Sequence, residues 1–260
     1  MEYFELLIKE VMIKKGIIGL FSNLGYEITK KASISNEAFN VDKEFRLIYD
    51  ACAPFTMTSI ERMFSLYNAV KYVAGNKIEG DFVECGVWKG GSSMLMAKTL
   101  NALNQPTREL YLYDTYEGMS EPTEKDVSIN GRQVVENWEN VKKDEKLFCY
   151  SSIDEVTRNI NSTTYPESLI HFVKGKVEDT IPNVMPGKIA LLRLDTDWFE
   201  STYHEMKYLY PKLEKGGVLI IDDYGHWQGA KEAIDKYFEE IGLIPLLNRI
   251  DYTGRIMVKL

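Results

Sequence analysis

The chain has 260 residues, 45% of them hydrophobic and 27% charged, and a formal net charge of −8. That is enough apolar material for one large α/β domain, or for a domain with an extension, and the acidic balance disfavours nucleic acid, whose phosphates need a basic surface. Cys52, Cys85 and Cys149 are widely spaced with no C-x-x-C, and the N-terminal apolar stretches are too short for a signal sequence or membrane span. Free thiols in a reducing compartment and a cytoplasmic protein are expected.

Residues 1–24 carry apolar side chains at near-helical spacing, as in Phe4, Leu7, Ile8 and Val11. They predict an amphipathic helix that packs on the domain or on a partner subunit. With the irregular stretch 25–58, this gives an N-terminal extension over 1–55 and a main domain over 56–260. A helix is predicted over 59–75, capped by Ser59 and stopped by Gly75. From Gly80 onward strands and helices alternate. Strands are expected at 81–85, 109–114, 168–174, 188–195 and 217–222, with helices after Gly91 and over 200–211 and 226–240. The polar stretch 115–146 reads as an insertion. The tail, 243–247 and 255–259 around Tyr252-Thr253-Gly254, reads as a terminal hairpin. Short strand–helix alternation predicts a doubly wound α/β fold. Its sheet has seven strands, mostly parallel, with one antiparallel strand from the hairpin.

The first strand–helix turn runs Glu84-Cys85-Gly86-Val87-Trp88-Lys89-Gly90-Gly91-Ser92-Ser93. Its glycines allow close approach of a ligand, and the next helix offers free N–H groups to an anion. It is not G-x-G-x-x-G, which argues against a nicotinamide-dependent oxidoreductase. Glu84 suits a cationic amine, and Ser92, Ser93 and the helix N-terminus suit a carboxylate; a structural turn with a solvated Glu is the plainer alternative. Asp114 ends the second strand, where an acid binds ribose hydroxyls in such folds, although a turn cap would look the same. Glu178 and Asp179 follow the third strand, where an acid can reach an adenine amine or simply cap a turn. A ligand with adenine, ribose and an amino acid end fits all of these, and S-adenosylmethionine is such a ligand.

Asp195-Thr196-Asp197 and Asp222-Asp223 each end a nearly all-apolar run. Two unit charges about 5 Å apart repel by roughly 3 kcal/mol at an effective dielectric of about 20. Converging carboxylates therefore favour protons or a divalent cation, and hard oxygen ligands suit Mg²⁺. Asp195, Asp222 and Asp223 are the expected ligands, with Asp197 left to cap the following helix. Bound metal would lower the pKa of a substrate hydroxyl, for which an Asp near its ordinary pKa of about 3.9 is otherwise a poor base. His226, three residues past Asp223, is read either as a general base or as a surface side chain.

Six segments together resemble a known family: Met57-Thr58, GDFVECGVWKGGSS (80–93), LYDTYEGM (112–119), GKVEDT (175–180), LRLDTD (192–197) and IIDDYG (220–225). They resemble the macrocin, mycinamicin and novobiocin-type sugar O-methyltransferases, and they span about residues 55 to 240. The resemblance implies a Rossmann-like class I methyltransferase fold, S-adenosyl-L-methionine and Mg²⁺ as cofactors, and methylation of a hydroxyl on a small-molecule acceptor. That acceptor would be a sugar on a glycosylated metabolite or polysaccharide precursor. It also implies a homodimer or larger homo-oligomer. Asp195, Asp222 and Asp223 match the family's metal acids, and Asp195 its proposed base. Thr58, Glu84, Gly86, Ser92, Ser93, Asp114, Thr115, Glu178 and Asp179 fall in cofactor-binding segments, and 115–146 lies where the family has a lid. Thr196 departs from the smaller residue expected there, and Lys231 stands where Arg is expected. The rival functions are methylation of a catechol-like phenol and a non-catalytic nucleoside-binding protein on the same fold.

Overall fold

Arg193 apart, the run Ile189–Leu194 is apolar, and all six of its residues are buried. A strand can bury successive residues only if both faces of its sheet are covered, because neighbouring side chains point to opposite faces. The computed structural model, which describes residues 42–144 and 147–260, shows that arrangement. The compact unit of described residues runs from Glu44 to Leu260. The helix expected within 1–24 lies outside the described residues.

The strands are β1 (Asp81–Cys85), β2 (Leu110–Asp114), β3 (Ile170–Lys174), β4 (Ile189–Leu194), β5 (Leu213–Ile221), β6 (Asn248–Arg249) and β7 (Arg255–Val258). Among the described residues they form one sheet in the order β3-β2-β1-β4-β5-β7-β6. β1 to β5 pair in parallel, and β7 is antiparallel to both β5 and β6. The helices are α1 (Lys43–Cys52), α2 (Ile60–Gly75), α3 (Gly91–Ala102), α4 (Trp138–Val141), α5 (Ile153–Asn161), α6 (Val177–Thr180), α7 (Phe199–Tyr208) and α8 (Gln228–Glu240). α2 packs with α3, and α7 with α8. The sheet grows outward from β1 in one direction and from β4 in the other. β1 and β4 therefore flank the switch point at which doubly wound sheets bind ligands.

Register then places the chemistry. Cys85 pairs with Leu194, and Leu194 with Ile221. One step further the ladder continues: Asp195 N–H donates to the Cys85 carbonyl at 2.8 Å and Asp222 N–H to Leu194 at 2.9 Å. Gly86, Asp195 and Asp222 thus leave the sheet side by side.

Three stretches differ from expectation. Residues 43–52, read as irregular, form α1, because Phe45, Ile48 and Cys52 share a buried face. The Phe45 ring meets Phe64 of α2 at 4.9 Å. The stretch before β3 holds α5, which begins where Ser152 Oγ accepts from Glu155 N–H. Residues 243–247 are not a strand; the hairpin's first strand is the two-residue β6. Pro245 has no N–H to give a ladder. Between β6 and β7, Asp251 Oδ1 accepts from the N–H groups of Thr253 and Gly254 and closes the turn.

The described part of the insertion, 115–144, is tied to the domain at defined points. Buried Asp126 accepts from Phe199 N–H at 2.9 Å, at the start of α7. Ser128 forms a bridge with Trp227.

Candidate active site

Gly86 has φ +83°, and a Cβ there would lie 1.9 Å from the Asp195 carbonyl oxygen. Only glycine lets the first turn pass so close to the end of β4. Gly91 is equally constrained: its Cβ would meet the Phe55 backbone at 2.7 Å. α5 supports this turn from outside, with Asn159 donating to the Lys89 carbonyl at 2.9 Å. The N-cap of α3 is Gly90, in a left-handed conformation and with no side-chain cap, so the first-turn N–H groups remain for an anion.

A cleft of about 280 Å³ opens here. Of the sequence-predicted site residues, Thr58, Gly86, Ser92, Asp114, Thr115, Glu178, Asp195, Asp222 and Asp223 line it. Glu84, Ser93, Asp179 and His226 do not. Its walls hold six acids (Asp114, Glu178, Asp195, Asp197, Asp222 and Asp223) against three bases (Arg62, Lys176 and Arg193). That excess favours cationic ligands.

Glu84 is 1% exposed and turned into an ion pair: it accepts from Arg193 at 2.7 Å and from the Ser93 hydroxyl. Burial pushes its carboxyl up to about 7, against the pull of Arg193 and Ser93. The expectation that Glu84 itself faces an amine, with Ser93 on a carboxylate, is corrected, since these two side chains satisfy each other. Asp114 is a turn cap first. Its Oδ2 accepts from the N–H groups of Val87 and Trp88, and its Oδ1 from that of Tyr116. Two bonds fill the lone pairs of Oδ2; the Thr115 hydroxyl, 3.4 Å from Oδ1, has its one proton on the closer Gly118 carbonyl, so Oδ1 keeps room for one ribose hydroxyl. Burial raises the Asp114 pKa despite those bonds.

The expected metal set of Asp195, Asp222 and Asp223 is not the set brought together. Asp222 is 2% exposed, and both its oxygens are taken by guanidinium groups: Oδ1 by Arg193 at 2.7 Å and Oδ2 by Arg62. Asp197, read as a helix cap, takes its place. Carboxylate oxygens of Asp195, Asp197 and Asp223 all lie within 4.8 Å of one another. Asp197 reaches the cluster because its backbone turns sharply, with φ +68° and Trp198 N–H donating to the Thr196 carbonyl at 2.8 Å. α7 is instead capped by Asp126, from the insertion.

Burial first, then the neighbouring Asp195 charge, pushes the Asp197 carboxyl up to about 7. Asp223 rises well above the ordinary range, by burial first and then by the charges of Asp197 and Asp195. Asp223 Oδ2 is buried with no hydrogen-bond partner. Three converging carboxylates with an orphaned buried oxygen fit a hard divalent cation.

His226 is not part of this group. Its Nδ1 faces the Tyr252 hydroxyl at 3.0 Å, and burial, with the Arg62 charge, lowers its pKa. Two charged residues that line the cleft were missed from sequence. Arg193 is 2% exposed and holds Glu84, Asp195 and Asp222 at 2.7 Å each. Its signal was a lone charge inside an apolar strand, which has to be paired if buried. Arg62 lines the cleft and binds Asp222 and Asp251. Trp198, which also lines the cleft, packs edge-on against Trp227 at 5.4 Å and Trp138 at 6.5 Å, and its indole N–H donates to the Ser120 carbonyl.

The macrocin O-methyltransferase (TylF) family model matches residues 9–259 of this chain. The chain belongs to the TylF macrocin O-methyltransferase family. It is 31% identical over 199 residues to the demethyldecarbamoylnovobiocin O-methyltransferase of Streptomyces niveus, covering 76% of this chain and 73% of that protein. It is 27% identical to the mycinamicin III 3''-O-methyltransferase of Micromonospora griseorubida, covering 76% of each. Among solved structures, the O-methyltransferase NovP superposes with a TM-score of 0.70 at 30% identity, over 79% of this chain and 82% of that one. The calicheamicin methyltransferase CalS11 shares the fold, with a TM-score of 0.59 at 14% identity over 89% and 94% of the two chains. This TylF-family chain is therefore an O-methyltransferase, and the cleft at its β1/β4 switch point is the candidate site of transfer.

Proposed function

We propose that the protein transfers the methyl group of S-adenosylmethionine to a sugar hydroxyl of a glycosylated small molecule, with Mg²⁺ held by the acid cluster. The observation that carries this reading is the cleft that joins the Gly-rich turn to three converging carboxylates. A 30% identical relative from Streptomyces olivaceus, named a 4'-O-methyltransferase of a rhamnosyl-tetracenomycin, supports a glycosylated acceptor.

The N-terminus of α3 and Ser92 suit the donor's carboxylate, Asp114 Oδ1 a ribose hydroxyl, and Thr115 and Glu178 the adenine side. The acidic walls favour its sulfonium. Asp195, Asp197 and Asp223 would hold the metal, with Asp222 beside them under Arg62 and Arg193. When bound, the metal would lower the pKa of an acceptor hydroxyl and fix its orientation. The carboxylate of Asp195 or Asp197 would take the hydroxyl proton, and His226, whose Nδ1 faces the Tyr252 hydroxyl, would not. Arg193 orients Asp195 by donating to its Oδ2. Trp198 and its aromatic neighbours exclude water from the acceptor side.

Titration calorimetry with S-adenosylmethionine and with NAD tests the donor. Saturable binding of the first alone is expected, and binding of NAD alone would refute it. Mass spectrometry of a panel of glycosides and catechols tests the acceptor. One added methyl on a glycoside sugar is expected, and methylation confined to catechols would replace that part of the reading.

A further inference from the structure

α7 carries a carboxyl group that the proposed chemistry does not use. Glu205 is 0% exposed, and it does not line the cleft. Ser201, one helical turn earlier on the same face, does line it. Glu205 thus lies one turn below the cleft floor.

The charges that face it, those of Glu178 and Asp195, are anionic. Oε2 accepts from the Thr196 hydroxyl at 3.1 Å, and Oε1 is buried without a hydrogen-bond partner. The Cys85 thiol, itself fully buried at the end of β1, stands against the same carboxyl. No Lys or Arg pairs with Glu205 among the described residues. Burial foremost lifts its pKa well above the ordinary carboxylate range. A buried polar group of this kind is costly and would be cheaper as an apolar residue, so the hydrogen bond it accepts from Thr196 points to its use.

That bond goes to the middle residue of Asp195-Thr196-Asp197. Thr196 is held at two points: its hydroxyl by Glu205, and its carbonyl by Trp198 N–H at 2.8 Å. Between them the next residue, Asp197, adopts φ +68°, a left-handed conformation that Asp tolerates better than most residues and that these two hydrogen bonds hold in place. Released, the loop would relax, and the Asp197 carboxylate would leave Asp195 and Asp223. Thr196, a departure from the smaller residue expected at this position, supplies the hydroxyl that makes the anchor possible.

We propose that Glu205 is a positioning residue, which acts through the Thr196 hydroxyl to hold the Asp195–Asp197 loop in the shape that brings its two carboxylates to Asp223. This rests on the metal-binding reading of that cluster. Partners that orient ligands in this way typically change metal affinity 10- to 100-fold when removed.

Mg²⁺ titration calorimetry on the full chain tests it, with thermal melting and S-adenosylmethionine affinity measured alongside. Thr196→Val and Glu205→Ala should each weaken Mg²⁺ binding about tenfold. The double variant should be no worse than either single one, since the two side chains act as a unit. Glu205→Gln, which keeps a neutral acceptor, should stay within about twofold of the wild type, and donor affinity should not move. Wild-type Mg²⁺ affinity in Thr196→Val, even with a lowered melting temperature, or losses that add in the double variant, would overturn the proposal while leaving the metal reading intact. A wild-type chain that takes up no Mg²⁺ would overturn both.

Discussion

Arg193 is the cation around which the buried acids are arranged. Replacing it with Met would strand Glu84, 1% exposed, without a cation and leave Asp222, 2% exposed, to Arg62 alone. Removing one partner of a buried ion pair typically costs about 3–5 kcal/mol. Arg193→Met should lose that much in urea unfolding, and a loss under 1 kcal/mol would show the acids to be neutral in the fold. Glu205 gives the opposite kind of signal. Its folded pKa lies above the unfolded value, so the folded state binds the extra proton as pH rises past about 4.5. Its contribution is therefore full below that pH and declines above it, by up to about 1.4 kcal/mol per pH unit until the folded group ionises. The difference in stability between wild type and Glu205→Gln, followed from pH 4 to 8, should move against the wild type as pH rises, and a flat difference would contradict the assignment. At this scale Asp195 and Asp223 were legible as part of an acid cluster. The exchange of Asp222 for Asp197 was not, because it depends on two arginines distant in sequence and on one left-handed backbone turn.

The element that sets the site is β1, its turn and α3. The glycines in that turn told correctly of close backbone approach, but the partner they approach, the Asp195 carbonyl, belongs to β4 and is set by strand order. Gly86→Ala should cost more than about 2 kcal/mol, since Ala at positive φ is itself disfavoured and the β4 loop must also move. The loss should appear in both unfolding and donor affinity, and wild-type values would show that the loop gives way freely. Strands β4 and β5 were readable because burial on both faces leaves the apolar runs Ile189–Leu194, Arg193 apart, and 218–221. α5 and α1 were missed: α5 has few apolar positions, α1 is short, and each is helical largely because it packs against a neighbour, α5 beneath the Gly-rich turn and α1 on α2. The hairpin was legible from Thr253-Gly254 but misplaced on its first side, where Pro245 interrupts a run of apolar residues that otherwise resembles a strand.

For the molecule as a whole, the acidic character seen in composition is concentrated where it can act. A chain of net charge −8 puts six acids against three bases in one cleft. Thr253 of the C-terminal hairpin donates to the Asp222 carbonyl at 2.7 Å, and Asp126 of the insertion caps α7. Segments far apart in sequence therefore brace the same two loops, a convergence visible only in three dimensions. The central claim is that this site transfers methyl groups with the help of a metal held by its acids. The most direct measurement is the rate of methyl transfer from S-adenosylmethionine to a glycosylated acceptor, in excess chelator and then after Mg²⁺ is restored. Transfer should vanish in chelator and return with Mg²⁺; full transfer in excess chelator would contradict the account.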